Sequence, residues 1–421
     1  MGGRLTAVAA LLLAAILLSG CNGSKETDQV AYVVGIGLDK AEDRKIRVTY
    51  QLAIPRILGG EKSDGSESTT SIITLKTANL AEAYNLIGTQ VSRSTNTAHA
   101  RMFIIGSELA KEGVGDFIAS FTRYREFRGT MYFLTVKDGT AEEFIGSLKS
   151  VLEVLPSKYV EGMMLTAEES GYYAPTFIHH FVTRLKGGTA APYTALVAVN
   201  PMTGRDRPSN PKISGERAEE YTAGNTPVTG KAVPANFAGS ALYREGKLVG
   251  TLTTNETRMA EILQGRLKRS FLPLTDPLAP DEAVNVRFRL KEKPQIRAAL
   301  QEGRYRFHVM VHLEGEITSI PSGIHYEAPE FSKRLEDQVS AYVHDHIMQM
   351  IVKTQELKCD VAGFGYSARH LYYSYPEWRK ASATWNEEYG RAEIAVEVKT
   401  SLRRTGLLWQ TRPNFRDQSG Q

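Results

Sequence analysis

The stretch Arg304–Gly315 (RYRFHVMVHLEG) alternates in the two-residue pattern that is typical of a β-strand. One face carries Phe307, Val309, Val311 and Leu313, and the other carries Arg306, His308, Met310 and His312. Because only one face is continuously apolar, this pattern predicts a sheet with one buried and one exposed face. A shorter alternating stretch, Val284–Lys291, predicts a second strand of the same kind.

A long amphipathic helix is predicted from about Glu330 to Leu357, shortly after this strand. Its apolar residues recur at helical spacing and make one stripe: Phe331, Leu335, Val339, Val343, Ile347, Met350 and Ile351. We expect the middle of the stripe to be buried against the strand face that carries Val309 and Val311. A helix packed on a half-buried sheet then forms the core of the C-terminal part.

The N-terminal half alternates predicted strands with predicted helices, which argues for α/β layering. The strand candidates are Ala31–Leu38, Ile46–Ile54, Thr70–Lys76, Ala100–Ile105, Met131–Val136 and Tyr193–Val199. The helical segments include one that begins near Leu80, then Val114–Tyr124, Ala141–Leu155 and much of Glu161–Lys186. The fold class predicted for the whole chain is α/β (α+β), with several domains and mixed sheets that each have helices packed on them.

Composition divides the chain into six segments. Residues 31–199 are predicted to be an N-terminal α/β region, either one unit or two subdomains, and 237–405 a C-terminal α/β domain that opens with a hairpin. Residues 200–236 are rich in proline and glycine, which predicts a loop or linker. The remaining segments are a signal peptide (1–20), a tether (21–30) and a tail (406–421).

The N-terminus has the pattern of a secretory signal. Arg4 precedes an apolar run, Leu5–Leu18, which is shorter than the roughly 20 residues of a membrane span. The run ends in Leu18-Ser19-Gly20-Cys21, which resembles the lipobox of bacterial lipoproteins. That resemblance implies cleavage before Cys21 and attachment of a diacylglyceryl group to it. The alternative is an ordinary signal peptide that contains a cysteine.

The bulk composition is that of a globular protein: 42% of its 421 residues are hydrophobic and 23% are charged. The net charge of +4 is small and spread out, which argues against nucleic acid as the main partner. Only two cysteines are present, so acylation of Cys21 would leave no disulfide within the chain. Cys359 is expected to be a buried apolar residue.

Motifs that carry catalysis or ligand binding are missing from the sequence. Gly35-Ile36-Gly37 follows a strand but lacks the third glycine of a dinucleotide fingerprint, because position 40 is lysine. His344 and His346 are two residues apart, which is the wrong spacing for a helical metal site. The sequence therefore predicts no enzyme activity, no cofactor, and no catalytic or metal-binding residue.

One segment near the C-terminus is unusually rich in glycine and aromatic residues. It comprises Lys358–Gly365 (KCDVAGFG), Tyr372–Trp378 (YYSYPEW) and Trp385. The aromatic side chains could cap the core, because tryptophan and tyrosine bury large areas. They could equally form a docking surface, because exposed aromatic residues are enriched at interfaces.

These motifs, in their order along the chain, resemble the Ger(x)C family of spore germination lipoproteins. The resemblance rests on Tyr32–Asp39 (YVVGIGLD), Ala98–Gly106 (AHARMFIIG) and Asp360–Gly365 (DVAGFG), and on three C-terminal segments: Tyr375–Trp378 (YPEW), the EIAVEVKT strand and Arg403–Gly406 (RRTG). The family implies three α/β domains, each a sheet with helices packed on it. It also implies the C subunit of a nutrient germinant receptor in the spore inner membrane, paired with two integral membrane subunits.

The function predicted from these features is that of a lipid-anchored, non-catalytic receptor subunit on the extracytoplasmic face of the membrane. Such a subunit would act in receptor assembly and signalling. The alternative is a solute-binding lipoprotein that serves a membrane transporter. That class needs a two-lobe cleft and near-continuous apolar strands, whereas Val284–Lys291 and Arg304–Gly315 alternate.

Overall fold

The computed structural model describes residues 2–4, 6, 29–54, 69–115, 117–118, 123, 127–149, 152–200, 220–228, 234–326 and 328–404. These ranges form a mixed α/β structure with two sheets and helices packed on them, as the sequence predicts. Most of the predicted signal peptide, Cys21, most of the 200–236 linker and the 406–421 tail lie outside the described residues. In the described ranges, no helix combines the length and the apolar character that a membrane span requires.

The first sheet has nine strands. In chain order they are β1 (Val30–Lys40), β2 (Ile46–Ala53), β3 (Thr70–Thr77), β4 (Ser94–Asn96), β5 (Met102–Ile105), β6 (Tyr132–Val136), β7 (Tyr193–Val199), β8 (Ala235–Arg244) and β9 (Lys247–Leu252). Their order across the sheet is β3-β2-β1-β5-β6-β7-β8-β9, with the short β4 paired to β1. The central strands β1, β5, β6 and β7 run parallel, and the outer strands pair antiparallel.

The helices with bounds in the described ranges of this half are α1 (Leu80–Ile87), α2 (Ser107–Glu112), α3 (Ala141–Ser147), α4 (Pro156–Ser170) and α5 (Ile178–Gly187). Alternate residues of β5 enter two different cores, since Phe103 and Ile105 belong to one and Met102 and Ile104 to the other. The central strands of the first sheet are therefore buried on both faces. The exposed face predicted from Arg304–Gly315 is a property of the second sheet alone.

The helix predicted over Ala141–Leu155 is shorter in the structure, because α3 ends at Ser147 and the next helix, α4, begins only at Pro156. Helix α3 begins with a capping box between Thr140 and Glu143 and ends at Ser147. Helix α4 starts at Pro156, where proline is tolerated because the first helical N–H has no partner within the helix. The missing side chain of Gly37 lets α3 lie against β1, because a Cβ there would be 2.8 Å from Ile145. The Gly35-Ile36-Gly37 motif therefore serves packing.

The second sheet has five strands. They are β10 (Ser270–Thr275), β11 (Ala283–Leu290), β12 (Gln295–Gln301), β13 (Arg304–Ser319) and β14 (Glu393–Arg404). Strands β11 and β12 pair antiparallel with successive parts of one edge of β13, and β14 runs parallel along the other edge. Along β13 buried and exposed residues alternate as predicted, with Val309 and Val311 fully buried.

The long predicted helix is α7 (Pro329–Glu356), and it packs on this sheet, mainly along β14. Val339, Val343 and Ile347 are fully buried in the same core as Val309 and Val311, which confirms the predicted stripe. The remaining helices of this half are α6 (Thr254–Leu263), α8 (Phe364–Ala368), a 3-10 turn (Arg369–Leu371), α9 (Tyr375–Ser382) and α10 (Trp385–Gly390).

The hairpin β8–β9 joins the two halves. This hairpin is predicted to open the C-terminal domain, but β8 is hydrogen-bonded to β7 and completes the first sheet. Its side chains divide between the cores: Ala241 and Tyr243 pack with the N-terminal residues, whereas Leu242 and Leu252 pack with the C-terminal ones. The domain boundaries themselves stay a prediction.

Candidate functional site

The segment Asp360–Gly365 (DVAGFG) follows α7 and forms a tight loop around a buried carboxylate. Asp360 Oδ1 accepts hydrogen bonds from the backbone N–H groups of Gly363 (2.7 Å) and Phe364 (3.0 Å). Asp360 Oδ2 accepts from the N–H of Gly365 (2.9 Å) and from Nε1 of Trp385 (3.0 Å). Burial raises the pKa of this carboxyl, and the four donors oppose that rise. Asp360 therefore fixes both the loop and the indole of Trp385.

Both glycines of the loop are required by its geometry. Gly363 has a φ of 84°, a left-handed backbone conformation that residues with a Cβ rarely adopt. A Cβ at Gly365 would overlap the carbonyl oxygen of Thr189. The approach of Gly365 to Thr189 brings the loop against the segment that leads into β7. The motif on which the family resemblance partly rests is thus explained by packing.

The same loop is hydrogen-bonded to the N-terminal half. The backbone N–H of Ala191 donates to the carbonyl of Asp360 (2.7 Å). Arg184, on α5, donates through Nη1 to the carbonyl of Val361 (2.9 Å), and Arg244, at the end of β8, donates to the carbonyl of Leu357 (2.8 Å). We call this set of contacts the joint, because it ties the loop after α7 to the first sheet.

An ion pair between a buried carboxylate and a partly exposed arginine lies beside the joint. Glu261, on α6, accepts hydrogen bonds from Arg266 (Nη2–Oε1 2.6 Å and Nε–Oε2 3.0 Å) and from the Tyr193 hydroxyl (2.9 Å). Burial raises the pKa of Glu261 and lowers that of Arg266, since both side chains have lost water. The two-point contact opposes those shifts and holds Arg266 against Glu261. These residues are far apart in sequence from Tyr193, so no local pattern predicts the network.

Cys359 is buried as predicted. Its Sγ lies 3.5 Å from the carbonyl oxygen of Tyr243, to which the thiol donates. Burial raises the pKa of this thiol to about 12, so it stays protonated at physiological pH. Cys359 is thus an apolar part of the joint. Cys21, the predicted lipidation residue, lies outside the residues that the structure describes.

The aromatic segment contains buried residues and exposed residues, and the two interpretations apply to different ones. Trp378 and Trp385 are buried, with ring centroids 5.8 Å apart, and they cap the C-terminal core. Tyr373 and Tyr375, by contrast, are 101% and 62% exposed. Tyr372 connects the two groups, because its ring packs 5.4 Å from Trp378 and its hydroxyl hydrogen-bonds to Tyr305. The core-capping interpretation therefore applies to the tryptophans, and docking by the exposed tyrosines stays a prediction.

The exposed face of the second sheet contains a cleft of about 560 Å³. Its charged side chains face one another as ion pairs, including Arg287 with Glu316 and Arg289 with Glu314. Among the described residues, no three His, Cys, Asp or Glu side chains are arranged to hold a metal ion. The fully buried carboxylate of Asp360 lies in the joint, where its hydrogen bonds connect secondary structure elements.

Comparison with known proteins gives two family matches that together span nearly all of the described chain. Residues 23–199 match the N-terminal domain of spore germination proteins, and residues 238–406 match the C-terminal region of the spore germination B3/GerAC-like proteins. The second match begins within β8, so it includes most of the hairpin that completes the first sheet.

Individual relatives match over almost their whole length. Spore germination protein KC of Bacillus subtilis (strain 168) is 26% identical over 94% of this chain and 95% of its own. Spore germination protein B3 of the same organism is 21% identical over 93% of this chain and 96% of its own. The crystal structure of the GerBC protein superposes with a TM-score of 0.51 at 17% identity and covers 87% of this chain and 96% of its own, which shows a shared fold. The chain therefore belongs to the GerAC-like, or Ger(x)C, family of spore germination proteins.

Proposed function

We propose that this chain is a lipid-anchored, non-catalytic subunit of a nutrient germinant receptor on the extracytoplasmic face of the spore inner membrane. The observation that carries the proposal is the pair of family matches, over residues 23–199 and 238–406, which gives the chain a role in spore germination. The partners we propose are two integral membrane subunits of the same receptor, as the resemblance implies.

Anchoring through Cys21 is the first part of the proposal. Residues 1–20 are the proposed signal peptide, and 21–30 the tether. The eight residues Asn22–Gln29 reach at most about 28 Å, so the folded part would lie close to the bilayer. A single acyl chain gives marginal membrane binding, whereas two acyl chains are enough for stable anchoring.

Replacing the cysteine tests this anchoring. Cys21→Ala should abolish metabolic labelling with palmitate and move the protein out of the membrane fraction. Cys359→Ala is the matched control, because it removes the chain's other cysteine, which is buried in the joint. That variant should keep both the label and the membrane association. Labelling of Cys21→Ala at the parent level would contradict the proposal.

A role in assembly and signalling is the second part. Its support is the joint, where the hydrogen bonds of Asp360, Arg184 and Arg244 hold secondary structure elements together. The carboxylate of Glu261 is likewise buried, and it is paired with Arg266. A folded chain whose two halves are tied together in this way can pass a structural change at one partner's contact to the contact with another partner.

Deleting the gene tests the receptor role. Spores that lack this chain should fail to germinate in the nutrient that the receptor senses, and should germinate normally with agents that bypass receptors. The levels of the two membrane subunits should also fall, because an assembly subunit stabilises its partners. Normal germination in every nutrient, together with loss of uptake of one solute by growing cells, would instead favour the solute-binding lipoprotein.

A further inference from the structure

The segment Tyr366–Lys380 displays large apolar and aromatic side chains to solvent. Tyr373 is 101% exposed, and Tyr375, Tyr366 and Leu371 are 62%, 46% and 39% exposed. We call these four side chains, with the cations described below, the tyrosine surface. Large exposed aromatic side chains that cluster on one short segment are typical of a site that contacts another surface.

The base of this segment is held firmly. Trp378 is buried, and its ring lies 5.8 Å from that of Trp385. Tyr372 packs on Trp378 at 5.4 Å and hydrogen-bonds to Tyr305 of β13. Helix α9 is capped at its start by Ser374, which accepts from the N–H of Glu377. The exposed tyrosines therefore project from a packed support.

The cations of the tyrosine surface set it apart from its surroundings. Arg369, Arg379 and Lys380 are exposed, and within the described part of the chain none of them forms an ion pair. Just beyond the segment, Lys358 is paired with Glu387 at 2.6 Å, and Arg391 is paired with Glu388. Arg369 instead lies over the ring of Tyr375, 5.3 Å from its centre. The only acidic residue between 366 and 380 is Glu377, so the surface carries net positive charge.

Tyrosines combined with unpaired cations match the chemistry of a membrane surface. The amphipathic ring of tyrosine is favoured at the level of the lipid headgroups. Lysine and arginine near a bilayer are attracted to anionic headgroups. Tyrosine and arginine are also enriched at protein–protein interfaces, but the cores of such interfaces are depleted in charged residues, and lysine is depleted across them. The feature that favours a lipid surface is therefore the group of three cations without an acidic partner among the described residues, Arg369, Arg379 and Lys380.

We propose that the tyrosine surface docks on a bilayer that contains anionic phospholipid. The docking would orient the subunit, because it adds a second contact with the membrane to the one made by the lipid on Cys21. This inference rests on the proposed anchoring, which holds the folded part near the bilayer.

The test uses the full acylated protein reconstituted in vesicles. Tyr373→Cys provides a labelling site for a polarity-sensitive dye, since Cys21 is acylated and Cys359 is buried. The control label is at His308→Cys. His308 lies on β13 on the face opposite Tyr305, and thus on the other side of the sheet from the tyrosine surface.

We expect the emission of the dye at position 373 to shift to the blue on vesicles of phosphatidylcholine mixed with phosphatidylglycerol. On vesicles of phosphatidylcholine alone the emission should not shift. Added salt should reverse the shift, because it screens the attraction. The dye at position 308 should not respond to either vesicle.

Neutralising the three cations gives the second measurement. The triple variant Arg369→Gln, Arg379→Gln, Lys380→Gln should lower the docking equilibrium constant by roughly 100-fold, because it removes the attraction of three cations to an anionic surface. The shift in emission should then disappear. The matched control removes three cations from the opposite face of the second sheet: Arg304→Gln, Arg306→Gln and Lys399→Gln. It should keep the shift.

Two outcomes would overturn the docking proposal. One is that the emission of the dye at position 373 is the same on both kinds of vesicle. The other is a shift that appears only after the membrane subunits are added, which would assign the surface to a protein partner. Flotation of the vesicles separates failure of the docking from failure of the anchoring. Protein that floats with the vesicles while the dye emission does not shift contradicts the docking alone. Protein that does not float with the vesicles contradicts the anchoring through Cys21.

Discussion

The buried carboxylate of Asp360 gives the most specific prediction about the folded chain. Asp360→Asn preserves the shape of the side chain, and its remaining oxygen can still accept from Gly363 and Phe364. The new amide group, however, would face two donors, the N–H of Gly365 and Nε1 of Trp385. Each buried donor left without an acceptor costs about 1–3 kcal/mol.

The expected net loss follows from those two contacts. Two unmatched donors cost roughly 2–6 kcal/mol. The neutral amide recovers part of this, because burial already disfavours the charged carboxylate and raises its pKa. We therefore expect Asp360→Asn to lower the free energy of unfolding by about 2–4 kcal/mol. Asp360→Ala leaves all four donors without an acceptor and should lower it further.

Urea unfolding of the purified protein, followed by tryptophan fluorescence, measures this loss. With a slope of about 2–3 kcal/mol per molar urea, the midpoint should fall by about 1 M in Asp360→Asn. The control is Asp337→Asn, also an acidic residue of the C-terminal half, whose side chain is 64% exposed and paired only with Lys333. It should stay within about 0.5 kcal/mol of the parent. If Asp360→Asn matches the parent midpoint, Asp360 does not hold the loop.

Two further predictions concern the C-terminal core. Val343→Asp places an unpaired charge in a fully buried site and should lower the free energy of unfolding by several kcal/mol. Val352→Asp, on the same helix but with a side chain that is 50% exposed, should change the melting temperature little. Equal melting temperatures of the two variants would contradict the packing of α7. The Cys359 thiol, with a pKa raised by burial to about 12, should not react with a thiol reagent at pH 8 until the protein is unfolded. Rapid reaction of the native protein would show that the joint opens.

Much of the fold follows from the periodicity of the sequence. The stripe of α7 and the alternation of β13 are both predicted correctly, because each places its apolar residues on one face. Strand β12 (Gln295–Gln301) escapes prediction, since QIRAALQ has few β-branched residues and its pairing with β13 defines it. Strand β10 contains Pro273, which argues against a strand, yet it is tolerated because β10 lies at an edge of the sheet.

The joint could be predicted only in part. The glycines and aromatic residues of Asp360–Gly365 mark the segment as unusual, but its partners lie far away in the chain. Arg184 reaches the carbonyl of Val361 across 177 residues, and no local pattern encodes that contact. The exposure of Tyr373 beside the buried Trp378 also depends on how the tertiary structure turns the segment, which residue types alone do not determine.

The sharing of the hairpin β8–β9 between two cores bears on how members of this family can be recombined. A chimera with a breakpoint between β7 and β8 would join β7 of one parent to β8 of another. The cross-strand pairs Tyr193–Leu242 and Val197–Phe237 would then come from different proteins. A breakpoint after β9, near Thr253, keeps the first sheet from one parent but transfers the mismatch to the contacts of Leu242 and Leu252 in the second core. Exchange of segments between such proteins therefore requires the hairpin and its neighbours in both cores to be transplanted as a unit.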